Sequence, residues 1–209
     1  MKHIALITGA SSGLGREFAR LLAREAVDEL WLVARRGERL RELSAALAVP
    51  CRIFARDLRQ EAALEELSAA LSAEPPVVRY LVNAAGFGRI GMAADIGAAT
   101  TGRMIALNCR AAAELTERAL PYMERGSRVL EIASCAAFQP ILYLAAYAAT
   151  KAFLLRYSRA LAAEVAARGI TVTAICPYWI RDTEFIHEAK KTDRRGLFRG
   201  FSLATDQKT

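Results

Sequence analysis

The sequence predicts an α/β fold, a doubly wound parallel sheet, and two observations carry that prediction. Short apolar runs alternate with longer amphipathic stretches from the first residues to about residue 176, the alternation of a parallel sheet covered on both faces by helices. The first apolar run ends in a glycine-rich turn that opens directly into a helix-like stretch. Right-handed crossovers between successive strands then wind helices onto both sides. At 209 residues and 54% hydrophobic, the chain can bury one core without disulfides or metals holding it together.

The elements follow in order. His3–Thr8 is a strand, since Ile4-Ala5-Leu6-Ile7 is too short for a helix and is stopped by Thr8-Gly9. Residues 13–26 read as a helix because Leu14, Phe18, Leu21 and Leu22 recur at i, i+4, i+7 and i+8. Glu29–Ala34 is the second strand, 37–48 the second helix, Cys51–Ala55 the third strand and 60–73 the third helix. Val77–Asn83 is the fourth strand, 100–124 a long helix and 127–133 the fifth strand. In the helix 145–168, Phe153, Leu154, Tyr157, Leu161 and Val165 form the buried face, and 170–176 is the sixth strand. Gly126 and Gly169 follow the last two helices, where a left-handed cap is wanted. After about residue 184 the chain turns charged, and no further strand or long helix is predicted. The expected organisation is a catalytic domain over 1–184 and a basic substrate-loop or tail segment over 185–209.

Composition excludes several function classes. No apolar run reaches the length of a membrane span, and the run after Met1-Lys2-His3 is too short for a signal-peptide core, so a cytoplasmic protein is expected. Cys51, Cys109, Cys135 and Cys176 form no CxxC pair and read as reduced, mostly buried thiols. His3 and His187 are the only histidines and neither has a neighbour at ligand spacing. No metal site and no Ser-His-Asp triad is expected. The net charge of +7 resides largely in Arg interleaved with Glu on helix faces, a solvated pattern. Nucleic-acid binding through the basic tail is the weaker reading of that charge.

The first turn reads Thr8-Gly9-Ala10-Ser11-Ser12-Gly13-Leu14-Gly15. Glycines at strand end, turn and helix start let the backbone approach a pyrophosphate, and the helix N-terminus offers free N–H groups. With its Thr-Gly-x-x-x-Gly-x-Gly spacing, the sequence here resembles the short-chain dehydrogenase/reductase family, and the resemblance runs over residues 2–183. Asp57-Leu58 after the third strand matches the family's adenine contacts. Asn83-Ala84-Ala85-Gly86 matches its Asn-Asn-Ala-Gly stretch, with Ala84 departing. Asn108, Ser134, Tyr147 and Lys151 match the four catalytic positions, and Pro177 its Pro-Gly segment. The resemblance implies a Rossmann-like fold, a nicotinamide cofactor and oxidoreductase activity.

The residues support that chemistry independently. Tyr147 and Lys151 stand one helical turn apart, on one face. A free tyrosine titrates near a pH of about 10. An adjacent ammonium favours the phenolate, which makes Tyr147 a general acid for carbonyl reduction and a general base for alcohol oxidation. Ser134 ends the fifth strand, at the sheet edge where ligands bind, and its hydroxyl can hold the substrate oxygen. By resemblance, Lys151 also binds the nicotinamide ribose and Asn108 holds a water that feeds a proton relay.

The second strand ends in Leu32-Val33-Ala34-Arg35-Arg36 with no acid before Glu38. An acid there would read the ribose 2′-OH of NAD; a guanidinium grips a 2′-phosphate instead, so NADP(H) is favoured over NAD(H) through Arg35. The alternative is that Arg35 and Arg36 are ordinary surface arginines. Apolar residues flank the site: Phe87, Ile90, Phe138, the segment from Ile141 to Leu144, Trp179 and Phe185. They suit a small hydrophobic carbonyl or alcohol of sterol, 3-oxoacyl or aromatic ketone type.

Two departures from the family stand out. Tyr178 replaces the glycine after the proline, and Thr183, a cofactor candidate with Ile180, stands one residue further on than usual. The chain also stops before the family's usual seventh strand and final helix. A catalytically weak nucleotide-binding sensor or interaction protein is therefore the rival reading. A homodimer or homotetramer through the helices 100–124 and 145–168 is expected, since family members commonly pair there.

Overall fold

The computed structural model describes residues 1–180, 183–193 and 196. Six strands, β1 (His3–Thr8), β2 (Glu29–Ala34), β3 (Cys51–Ala55), β4 (Val77–Asn83), β5 (Arg128–Ile132) and β6 (Thr171–Ile175), form one parallel sheet in the order β3-β2-β1-β4-β5-β6. The order reverses between β1 and β4, and a crevice opens there at the carboxyl ends of the strands.

Period-two alternation decides which helices cover which face. Ala5 and Ile7 of β1, Leu30 and Leu32 of β2 and Val82 of β4 pack against α1 (Gly13–Leu22) and α2 (Gly37–Ala45). Ile4 and Leu6, Trp31 and Val33, Leu81 and Val129 face the other way, onto α3 (Glu61–Ala73), α6 (Ala112–Ala119) and α7 (Ala145–Val165). Leu64, Leu67 and Leu71 sit at helical spacing on α3 and are fully buried. Each contributes about 1.5–3 kcal/mol through burial, so Leu67→Ala would cost about 2–5 kcal/mol.

The structure departs from the sequence reading in several places. The first two helices end at Leu22 and Ala45. Leu21 and Phe153 point outward, 57% and 43% exposed, and do not belong to the buried faces. The predicted helix 100–124 is composite: α4 (Ala93–Ile96) and α5 (Ala98–Ile105) lead into a π-helical turn, Ala106–Ala111, before α6. The sheet is not covered evenly. The outer strands β3 and β6 are only partly buried, because among the described residues each has a neighbouring strand on one side alone. Only Cys109 is buried among the four free cysteines. Beyond β6, where no further strand or long helix is expected, the chain forms one short helix, α8 (Glu184–Lys190), and Ala189 on it is fully buried. The rest of the expected tail, residues 194, 195 and 197–209, lies outside the described residues. Among the described residues no helix is long and apolar enough to cross a membrane.

Candidate active site

A cavity of about 860 Å³ lies at the carboxyl edge of the sheet. Gly9, Ser11, Ser12, Gly13, Leu14 and Gly15 of the first turn line it, with Arg35 after β2, Asp57 and Leu58 after β3, and Ala84 and Gly86 after β4. Ser134, Tyr147, Lys151, Pro177, Ile180 and Thr183 complete the wall. Seventy-odd residues of separation are bridged by Thr8 at the end of β1, whose hydroxyl donates to the Val82 carbonyl and accepts from the Ala85 amide.

Backbone contact makes the turn a cradle. A Cβ on Gly9, where φ is +67°, would stand 2.8 Å from the Ala84 carbonyl, and one on Gly15 would stand 2.5 Å from the Gly9 oxygen. Neither position has room for a side chain, so helix and turn pack backbone on backbone. Ser12 begins α1 without a side-chain cap, which leaves the first-turn N–H groups directed at the cavity for an anion. The cradle fits the pyrophosphate of a dinucleotide.

Two of the predicted positions lie behind the cavity wall. Asn83 does not face it: its Nδ2 donates to the Glu131 carboxylate at 2.7 Å, to Thr116 Oγ1 at 2.8 Å and to the Ala112 carbonyl at 3.3 Å. Strand alternation turns its side chain toward α6 and exposes Ala84 instead. Asn108 is fully buried in the π-helical turn. Its Oδ1 accepts from the Phe87 amide at 3.0 Å, and its Nδ2 donates to the Phe87 carbonyl and to Thr150 Oγ1. The side chain thus fastens the loop after β4 to α7. A π turn of this kind often marks a functional site.

Tyr147 and Lys151 share a face of α7, and both are nearly buried. The Lys151 ammonium is directed at the Ile132 carbonyl, 2.5 Å away, and lies 5.8 Å from the Tyr147 ring centroid. Burial pushes the Tyr147 hydroxyl well above its ordinary range, while a hydrogen bond with Ser134 pulls it partway back. The sequence-based expectation that Lys151 lowers it is not met, since burial dominates and the ammonium is turned toward β5. Burial also brings Lys151 down to about 8, against the opposing charge of Glu131.

Glu131 is a residue that motif reading misses. It is fully buried on β5, and burial pushes its carboxyl up to about 7 against the donors Asn83 and Thr116 and the Lys151 charge. Its signal was present: one acid inside the apolar run Val129-Leu130-Glu131-Ile132-Ala133, in register with Asn83.

After β3, Asp57 is gripped by the Arg59 side chain and amide, which hold its carboxyl below the usual range. Arg35 is exposed and makes no hydrogen bond or ion pair among the described residues. Arg36 donates to Ser11 and Ser12 of the turn, at 3.3 and 2.8 Å, and to Glu184.

At the other end of the cavity, Phe185 of α8 packs against Tyr147 with ring centroids 5.3 Å apart, and Trp179 stands 6.4 Å from Phe185. Gly88 makes this possible, because a Cβ there would meet Phe185 at 2.9 Å and Tyr147 at 3.0 Å. Tyr178 lines the cavity beside Pro177 and is 44% exposed.

Comparison with known proteins agrees with this geometry. The family model for short chain dehydrogenases matches residues 3–194. A short-chain dehydrogenase from Sphingobium yanoikuyae in complex with NADPH superposes with a TM-score of 0.85 at 29% identity, over 98% of this chain and 79% of that one. The bulky-bulky ketone specific alcohol dehydrogenase from Comamonas testosteroni gives 0.79 at 31% identity, over 87% and 74%. A 3-ketoacyl-(acyl-carrier-protein) reductase from Brucella melitensis, complexed with NADH, gives 0.80 at 29% identity, over 91% and 81%.

Proposed function

The chain belongs to the short-chain dehydrogenase family and is an NAD(P)-dependent oxidoreductase of that type; from that premise we propose that it uses NADP(H) to interconvert a carbonyl and a secondary alcohol on a small hydrophobic substrate, with Tyr147 as general acid and base. The observation that carries the reading is convergence. Ser134, Tyr147 and Lys151 come from β5's end and from α7, and they meet the glycine cradle in one cavity.

Each side chain then has a role its surroundings suit. In reduction, Tyr147 donates its proton to the substrate oxygen while the Ser134 hydroxyl holds that oxygen in place. A buried tyrosine kept as the phenol is in the correct state to donate. The nicotinamide, when bound, supplies or accepts the hydride. Lys151, with its ammonium held near the Gly86 backbone, is the residue suited to the nicotinamide ribose. Asn108 holds the Gly86–Phe87 strap against α7, which fixes one wall of the reacting centre. The turn residues Ser11 to Gly15 would hold the pyrophosphate, and Asp57 and Leu58 the adenine. Pro177, Ile180 and Thr183 stand on the side that would face the nicotinamide.

Arg35 and Arg36 carry the NADP preference: two guanidinium groups border the cavity where an NAD-reading acid would stand. The Sphingobium relative's NADPH supports the reading, while the Brucella relative's NADH shows that the fold accepts either. Phe87, Ile141, Trp179 and Phe185 give the substrate side its apolar character. We further propose that the chain pairs with itself through α5 and α7, whose outward faces carry Ile105, 49% exposed, and Phe153.

The test is oxidation of NADPH across a panel of hydrophobic ketones and 3-oxoacyl esters. Turnover that Tyr147→Phe abolishes supports the assignment. Tight NADPH binding with no turnover on any substrate would favour the sensor reading instead.

A further inference from the structure

Glu184, the first residue of α8, reaches across the cavity rim to arginines far away in the sequence. Its Oε2 accepts from Arg36 Nη1 at 2.7 Å and its Oε1 from Arg39 Nη1 at 2.5 Å. Arg36 simultaneously donates to Ser11 and Ser12 of the glycine turn. Two oxygens of one anion therefore bridge two guanidinium groups at the corner where β2 ends and the turn begins. That arrangement is how an arginine pair holds a phosphate monoester. The two arginines hold the Glu184 carboxyl below its ordinary range, so it is ionised at neutral pH.

We propose that Glu184 is a cofactor-specificity residue, an internal anion seated on Arg36 and Arg39 that a ribose 2′-phosphate must displace. The inference rests on the reading of this arginine corner as the NADP site. A phosphate monoester carries a charge of about −1.5 to −2 at pH 7 and three acceptor oxygens, so it can take both arginines from a single carboxylate. The 2′-hydroxyl of NAD(H) is uncharged and leaves the Glu184 contacts in place. Glu184 thus weakens NADP(H) selectively and narrows the discrimination that the arginines would otherwise give.

The variant Glu184→Gln keeps the side chain's length and removes its charge. Helix α8 has other anchors: the Ile90 amide donates to the Ala189 carbonyl at 2.9 Å, Thr192 Oγ1 donates to the Ile90 carbonyl, and Ala189 is buried. Calorimetry would measure dissociation constants for NADP⁺, NAD⁺, and the fragments adenosine 2′,5′-bisphosphate and 5′-AMP, on wild type and variant. The fragments read the arginine corner without the nicotinamide. Both pairs are partly exposed, so a gain of about three- to tenfold is expected for NADP⁺ and for the bisphosphate. NAD⁺ and 5′-AMP should change less than about twofold, the margin within which pairs without a charge to exchange are left alone. Glu164→Gln, an exposed acid near the end of α7, controls for the change in net charge and should shift neither cofactor.

Arg36→Gln separates the two levels of the argument. A wild type that prefers NADP⁺ and loses the preference in Arg36→Gln, with Glu184→Gln indistinguishable from wild type, overturns the internal-anion role and leaves the cofactor assignment standing. A wild type with no preference, unaffected by Arg36→Gln, overturns the cofactor assignment itself. A Glu184→Gln variant that loses NAD⁺ affinity would mean that Glu184 accepts from the ribose hydroxyl, and this too overturns the proposal.

Discussion

Lys151 Nζ donates to the carbonyl oxygen of Ile132 at 2.5 Å, which ties the ammonium of α7 to the end of β5, two residues before Ser134. Ile132 adjoins Glu131, whose carboxyl is buried on the α6 and α7 side of the same strand. One short stretch of β5 therefore fixes the lysine, sets a buried carboxyl near it and leads into the serine. An ammonium so deeply buried needs both a hydrogen-bond acceptor and a nearby carboxyl, since an unpaired charge there would be strongly unfavourable.

Tyr147→Phe removes the proton donor and keeps the ring that packs on Phe185. Turnover is expected to fall by about 10²-fold or more, the range of general acid–base catalysis, with cofactor affinity little changed. Steady-state kinetics beside calorimetric titration separate the two quantities. Near-normal turnover in the variant would remove Tyr147 from the chemistry.

Glu131 makes stability depend on pH in a defined direction. Its folded-state value, about 7, lies above the ordinary carboxylate value of 4.5. Between those values the native state keeps a proton that the unfolded chain has lost, so stability falls as pH rises from about 4.5 to 7. Two acceptors in this network, Glu131 Oε2 and Asn83 Oδ1, have no hydrogen-bond partner among the described residues, and a proton on Oε2 turns one of them into a donor. Glu131→Gln should gain on wild type, by on the order of 2–3 kcal/mol, between pH 5 and pH 8. Urea midpoints at the two pH values test this. Parallel shifts would show that the Lys151 charge keeps Glu131 ionised throughout.

Gly15→Ala should be among the most damaging single substitutions. The new Cβ meets backbone, the Gly9 carbonyl, at 2.5 Å, and backbone cannot move aside as a flexible side chain would. A loss of at least about 2 kcal/mol of stability is expected, together with loss of dinucleotide binding. A thermal melt with and without NADP⁺ reads both effects.

Much of this site was legible in the sequence, because its parts are local. The strands fall where apolar runs are bounded by Gly, Asn or Pro, and β1 to β4 match residue for residue. The last two end one residue short at each end, at Arg128–Ile132 and Thr171–Ile175. The glycine spacing and the Tyr147–Lys151 pair are also short-range patterns. What escaped depends on distance or on protonation. The Glu184 contact spans 148 residues, and nothing local to Glu184 announces it. The π turn around Asn108 has no compositional signature, since its hydrogen bonds shift register under helix-forming residues. The orientation of Asn83 away from the cavity follows from strand alternation, which motif matching ignored. Spacing fixes which face Lys151 occupies but not where its ammonium points, so the upward shift of the Tyr147 hydroxyl is not legible in the sequence.

Arg35→Asp tests the cofactor corner from the opposite charge. Arg35 is exposed at the cavity rim and lies within electrostatic reach of Asp57. Placing an acid there restores the residue type that reads a ribose 2′-OH and repels a 2′-phosphate. NADP(H) affinity should weaken by about 1–3 kcal/mol, the scale of a charge-assisted hydrogen bond, and NAD(H) should hold or improve. Equal wild-type affinities for the two cofactors would sink the preference.

The self-association reading leads to a test on α7. Phe153 is 43% exposed and stacks on Tyr157, with ring centroids 5.9 Å apart and planes within 6° of parallel. Ile105, at the end of the neighbouring α5, is 49% exposed. Ile105 and Phe153 thus leave large apolar side chains exposed on neighbouring helices, which a second copy can cover by twofold symmetry. Small residues on the same helix, Ala152, Ala160 and Ala163, allow close helix approach. Phe153→Glu places a charge in that contact, and on a monomer it should cost little because the site is already half in water. The expected result is a dimer mass for wild type by light scattering at micromolar concentration and a monomer mass for the variant, with unchanged far-ultraviolet circular dichroism. A wild-type monomer would refute the self-association, whereas a variant that stays dimeric would move the interface away from α5 and α7, with the partly exposed edge strand β6 the next surface to test.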